Sequence, residues 1–123
     1  MRTLLIVDDE DGVRSLVRMT LHSESYRILE ASEGSTALEM AREHHPDLVL
    51  LDVMLPDQSG IEICRQLKAD PTTSSATIIM LTARAQQTDV GDAEEAGADG
   101  YFTKPFSPIA LTQKVESVLG PSA

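Results

Sequence analysis

The chain has 123 residues, enough for one domain with a sizeable core, and its 41% hydrophobic content is that of a soluble globular protein, although only 3% is aromatic. A formal charge of −10 argues against a nucleic-acid surface, which should be basic, and is compatible with a divalent cation or a basic partner. No apolar run approaches the roughly 20 residues of a membrane span; Leu4-Leu5-Ile6-Val7 is too short for the core of a signal peptide and acids follow it at once.

In chain order, Leu4–Val7 is a continuous apolar run closed by acids, predicted as a strand. Val13, Leu16, Val17, Thr20 and Leu21 then recur at helical spacing, with Arg14 and Arg18 on the opposite face. Tyr26–Ala31 reads as the second strand. Ala37, Leu38 and Ala41 mark a second helix, stopped by His44-His45-Pro46. Leu48–Leu51 is the most strand-like run, apolar on both faces as a central parallel strand should be. A third helix spans Gly60 to Ala69 with Ile61, Cys64 and Leu67 inward, and the polar loop Asp70 to Ser75 leads to a fourth strand, Thr77–Leu81. A weak helix carrying Gly91 is expected over Thr88–Ala96, then a strand at Tyr101–Thr103. The last helix runs from Pro108 to Leu119 with Leu111, Val115, Val118 and Leu119 inward. Cys64, the one cysteine, excludes an internal disulfide, suits a reducing cytoplasm and reads as a buried packing residue.

Five strands alternating with five helices, with no repeat or internal linker, predict one α/β domain over residues 1–123, its core at about 3–120. The arrangement that fits is a doubly wound five-stranded parallel sheet in the flavodoxin-like order 2-1-3-4-5, although the order itself is not visible in the residues. In such a sheet ligands bind at the C-terminal ends of the strands. Asp8-Asp9, Asp52, Thr82 and Lys104-Pro105 follow or end four of the predicted strands. Each has an ordinary reading: helix cap for Asp8 and Asp9, turn-former for Asp52, cap or turn residue for Thr82, surface lysine for Lys104. Together, three acids, a hydroxyl and an ammonium at one sheet edge make a metal and phosphoryl site.

At these residues the chain resembles the receiver domain of two-component response regulators. The motifs are Leu-Ile-Val-Asp8-Asp9-Glu10, Asp52-Val-Met-Leu-Pro56-Asp-Gln-Ser-Gly60, Leu81-Thr82-Ala83 and Gly97-Ala-Asp99-Gly-Tyr101-Phe-Thr-Lys104-Pro105-Phe106, and the resemblance runs from Leu4 to Leu119. It implies that Asp52 accepts a phosphoryl group from a partner histidine kinase or phosphotransfer protein. It also implies that Asp8, Asp9, Asp52 and the backbone carbonyl of Met54 hold Mg²⁺, with Asp9 a direct ligand and Asp8 acting mainly through water. Thr82 matches the hydroxyl that bonds a phosphoryl oxygen, Lys104 the lysine that pairs with the phosphoryl group, and Tyr101 the aromatic switch position. Phosphorylation would draw Thr82 inward, let Tyr101 follow, and alter the surface of the fourth helix, fifth strand and fifth helix for partner binding. The resemblance makes this a cytoplasmic signalling domain rather than an enzyme, assisting its own phosphorylation and slow dephosphorylation.

Physical reasons stand behind these roles. A carboxylate and a phosphoryl group repel as anions, and Mg²⁺ with Lys104 offsets that repulsion. His22, His44 and His45 lie in or after helices and read as surface residues, so the phosphohistidine must come from a partner. On the surface that dimerises in the transcription-factor class, Gly100, Ala110, Lys114 and Glu94 depart from the common residues while Asp99 is retained, so monomer and phosphorylation-dependent dimer both stay open. Met54 and Arg84, at the positions that tune self-hydrolysis, offer no obvious water-positioning group and imply a long-lived phosphoryl state.

Two other functions compete. A pseudo-receiver would bind partners without phosphorylation, against which the intact acid, Thr and Lys set argues. A haloacid-dehalogenase-type phosphatase would use Asp9 within Asp9-Glu10-Asp11-Gly12-Val13, but leaves Asp52 and Tyr101 unexplained. The sequence ends at Gly120-Pro121-Ser122-Ala123, directly after the last helix, so either a stand-alone regulator or a receiver cut from a longer protein is expected. Direct binding to nucleic acid or membrane by this domain is not expected.

Overall fold

Leu4–Val7 and Leu48–Leu51 are wholly buried, and the two strands that carry them form the centre of the molecule. The computed structural model describes residues 2–21, 26–82, 94–103 and 107–120, Thr82 by its backbone alone. In chain order these form β1 (Arg2–Val7), α1 (Asp11–Thr20), β2 (Tyr26–Ala31), α2 (Gly34–His44), β3 (Leu48–Asp52), α3 (Gly60–Ala69), β4 (Thr77–Thr82), β5 (Gly100–Thr103) and α4 (Pro108–Leu119). The strands make one parallel sheet in the order β2-β1-β3-β4-β5, as predicted. Among the described residues there are four helices; the predicted one over Thr88–Ala96 lies mostly outside them, and only Glu94 and Glu95 at its end are helical.

Alternation along the strands divides the core in two. Leu5, Val7, Val49, Leu51, Ile78 and Met80 face α2 and α3, where Ala37, Ala41, Ile63, Cys64 and Leu67 meet them. Leu4, Ile6, Leu48, Leu50, Ile79 and Leu81 face α1 and α4, against Val17, Leu21, Leu111, Val115 and Leu119. Both faces of the sheet are covered, which is why its central strands read as continuous apolar runs.

Two expectations for core positions change. Leu16 was expected inward and is 39% exposed, because Val17 and Leu21 carry the inner stripe of α1 and Leu16 sits at its margin. Ile63 was not expected inward and is fully buried. It lies under Gly34 of α2, where an added Cβ would stand 2.7 Å from Ile63 Cδ1, a contact between helices that the sequence periodicity of α3 alone does not reveal.

The strand entry ends are stitched by two acids. Asp47 accepts Thr3 N–H on its carboxylate, donates its own N–H to Thr3 O and accepts Thr77 N–H on its carbonyl, each at 2.8–3.0 Å. Asp99 accepts Ile78 N–H at 2.8 Å and pairs with Lys68 Nζ at 3.0 Å. The opposite, exit end of the sheet is left for chemistry.

Candidate functional site

Parallel register builds the site. Val7 pairs with Leu51, so Asp8 and Asp52 are the next residues on adjacent strands, and Asp52 itself pairs with Leu81. Thr82 follows Leu81 at the end of β4 and pairs with Thr103. The sheet thus brings Asp8, Asp52 and the Thr82 backbone to one edge. The side chain of Thr82, and Lys104 and Pro105, lie outside the described residues.

Asp8 is fully buried; its carboxylate accepts Glu10 N–H at 3.0 Å, and its own N–H donates to Ala31 O at 3.1 Å. The cap reading of the acidic pair therefore gives way to a local turn: the residue at the N-cap of α1 is Glu10, and it makes no side-chain capping bond. Asp9 and Glu10 are exposed beside Asp8, and one carboxylate oxygen from each of the three lies within 4.8 Å of the others. Three carboxylates so close repel one another, which a cation relieves. All donors are hard oxygens and two of the acids face solvent, so water can complete a coordination shell; this donor set fits Mg²⁺. Glu10 was missed as a member of this cluster, although its place beside the acidic pair was the signal.

Asp52 ends β3 and is 6% exposed. Its carboxylate accepts Met54 N–H at 3.2 Å. The turn after it folds back tightly: Val53 N–H donates to Leu81 O at 3.0 Å, Gly60 N–H to Val53 O at 2.7 Å, and Met54 and Ser59 form an antiparallel bridge. Gly60 is required there, since a Cβ on it would lie 1.8 Å from Asp52 O. Asp57, midway along this turn, reaches across to α2 and accepts Gly34 N–H at 2.8 Å and Ser35 N–H at 3.0 Å. Those two bonds hold its carboxyl below the usual range, and Asp57 serves as the cap that Glu33 does not provide. Nothing in the order of residues signals this bridge, because it joins residues far apart in the chain.

The Met54 side chain is 79% exposed and that of Tyr101, on β5, 47% exposed. Asp99 is engaged within the chain, by Ile78 and Lys68. His44 and His45 lie at the C-terminal end of α2, against Arg27 and the Thr72 carbonyl respectively and away from the exit edge, while His22 and Arg84 lie outside the described residues. Cys64 is buried, and desolvation pushes its thiol up to about 11, so it is an inert core residue rather than a nucleophile. No helix among the described residues is long and apolar enough to cross a membrane.

With this geometry in view, the likenesses to known proteins are specific. The family model for the response regulator receiver domain matches residues 4–116. The chain is 44% identical over 118 residues to the phosphate regulon transcriptional regulatory protein PhoB of Pseudomonas aeruginosa, covering 96% of this chain and 52% of PhoB. Its structure is similar to that of a response regulator from Chloroflexus aurantiacus described as putative in its own name, with a TM-score of 0.89 and 36% identity over 96% of this chain and 97% of that one. It is likewise similar to the chemotaxis protein CheY4 of Vibrio cholerae, with a TM-score of 0.90 and 29% identity over 97% and 99%. The chain belongs to the response regulator receiver domain family. It spans about half the length of the curated relatives it matches.

Proposed function

We propose that this receiver works as a phosphoacceptor, with Asp52 taking the phosphoryl group of a phosphohistidine on a partner kinase or phosphotransfer protein. The observation that carries this is the placement of Asp52, at the end of the most buried strand, and of the Asp8–Asp9–Glu10 cluster just after the strand beside it, at one edge of the sheet. A carboxylate is placed in so apolar a setting at a cost unless function or partners offset it. In the transfer, an Asp52 carboxylate oxygen forms the bond to phosphorus as the phosphorus–nitrogen bond to the donor imidazole breaks, and the released electron pair stays on that nitrogen.

Asp8, Asp9, Asp52 and the Met54 carbonyl would hold Mg²⁺. When bound, the ion would neutralise negative charge between the carboxylate and the incoming phosphoryl oxygens. The tight turn after Asp52 keeps its carboxylate aimed through the Met54 N–H. Lys104 is assigned the second positive charge, and Thr82 the hydroxyl that answers phosphorylation, with Tyr101 as the aromatic that follows it; the exposure of Tyr101 supports its freedom to move. The domain acts by binding a partner rather than by turnover of a small substrate, in the cytoplasm, either alone or joined to an output domain as in a longer regulator.

The test is intact mass after incubation with acetyl phosphate, with and without Mg²⁺, on the wild type and Asp52→Asn. A Mg²⁺-dependent gain of one phosphoryl group, absent in the variant, is the expected result. A gain that survives in Asp52→Asn assigns the acceptor elsewhere. No gain with acetyl phosphate or with a phosphorylated histidine phosphotransfer domain makes the chain a phosphorylation-independent interaction module.

A further inference from the structure

Arg14 is a residue of the solvent face in the helical pattern of α1, yet its side chain is only 15% exposed. It turns back along the helix towards the acidic cluster. Its Nη1 donates to the backbone carbonyl of Asp8 at 2.6 Å, its Nε donates to Glu30 Oε1 at 3.3 Å, and its Nη2 pairs with Asp11 Oδ1. Glu30, on β2, is held in turn by Arg18 Nη1. A side chain on α1 is thus clamped to a neighbouring strand and uses the clamp to hold one peptide bond.

We propose that Arg14 is a positioning residue for the cation site, fixing the peptide between Asp8 and Asp9 and with it the directions in which the two carboxylates leave the backbone. The inference rests on the reading that Asp8 and Asp9 hold a divalent cation. The peptide is planar, so its oxygen and the Asp9 N–H turn together. The Asp8 N–H is tied to Ala31 O on β2, and the Asp8 carbonyl is tied to Arg14. With both ends held, the turn has little freedom left, and the exposed Asp9 carboxylate leaves from a fixed point. A guanidinium suits this task because its rigid fork keeps several acceptors at set angles, which an ammonium does not.

Charge and geometry make opposite forecasts here, and that makes the role testable. A positive charge beside a cation site weakens cation binding, so removing it by itself should tighten binding. Losing a positioning contact should weaken it, by about tenfold for a group that orients ligands. The measurement is calorimetric titration with Mg²⁺ alone on wild type, Arg14→Lys, Arg14→Met and Asp9→Asn, with thermal melts of each.

Arg14→Lys keeps the charge, loses the fork and is expected to fold; its affinity should fall about tenfold. Arg14→Met, where it folds, should also bind more weakly. Arg14→Lys within twofold of wild type, or Arg14→Met binding more tightly, overturns the positioning role and leaves the cation site standing. Wild type that does not bind Mg²⁺, or that binds as well as Asp9→Asn, overturns the cation reading at these acids and this inference with it.

Discussion

Single atoms decide much of the site. The Asp52 carbonyl would be 1.8 Å from a Cβ at position 60, and backbone on both sides leaves no flexible side chain to yield. Gly60→Ala should therefore displace the turn that holds the Met54 N–H on the Asp52 carboxylate. With Asp52 as the proposed phosphoacceptor, the expected outcome is a slower gain of phosphoryl from acetyl phosphate, by up to about a hundredfold for a misplacement of about an ångström. Mass spectrometry over a time course, with circular dichroism to confirm that the chain folds, checks this; an unchanged rate in a folded protein would show the turn to be compliant. Asp8, Asp9 and Asp52 were singled out in the sequence because acids directly after apolar runs stand out, and the sheet brings Asp8 and Asp52 to one edge. Arg14 was not, because periodicity shows which face of a helix a residue starts from and not where a long side chain ends.

Among the elements, α2 depends on its neighbour. Its own N-cap residue, Glu33, makes no side-chain bond, and Asp57 from the turn after β3 takes two of its first N–H groups instead. The carboxyl of Asp57 is lowered from 3.8 when folded, so its contribution is fully present above that value and is lost as pH falls through the lower folded value. Asp57→Ala should melt a few degrees below wild type at pH 7, and the gap should narrow as pH drops below about 4. A gap that is the same at every pH would mean that the charge on Asp57 adds nothing to its hydrogen bonds. By contrast α3 and α4 cap themselves through Ser59 and Ser107, and their ends were placed at Gly60, Ala69, Pro108 and Leu119 from the sequence and found there. Local capping is readable from residues in order; a cap borrowed from another loop is not.

For the whole molecule, the strand alternation and the parallel sheet were expected from apolar runs bounded by acids and turn residues, while the order was taken from the flavodoxin-like arrangement that fits this count and is not visible in the residues. Strand ends differed by a residue or two: β1 begins at Arg2, β3 reaches Asp52 and β4 reaches Thr82. Backbone pairing decides these ends, and the partner's register is not written in either strand alone. The division of the core into two layers was implied by the count of helices. Which helix lies beside which was not, and it explains the missed burial of Ile63.

Asp47 has a meaning for the order in which the chain assembles. It binds Thr3, 44 residues before it, on both sides of that residue's peptide groups, and also receives Thr77. These bonds exist only once three distant strands have met, after the chain has closed the long loops that parallel crossovers require. If that meeting is the rate-limiting event, Asp47→Ala, which removes the carboxylate bond to Thr3 N–H and keeps the two backbone bonds, should slow refolding and leave the unfolding limb of a chevron plot nearly unchanged. A variant that unfolds faster but refolds at the normal rate would place the knot late, as a fastening added to a sheet already formed. In the first case the end of the sheet farthest from the proposed phosphoryl site sets the pace at which that site is assembled.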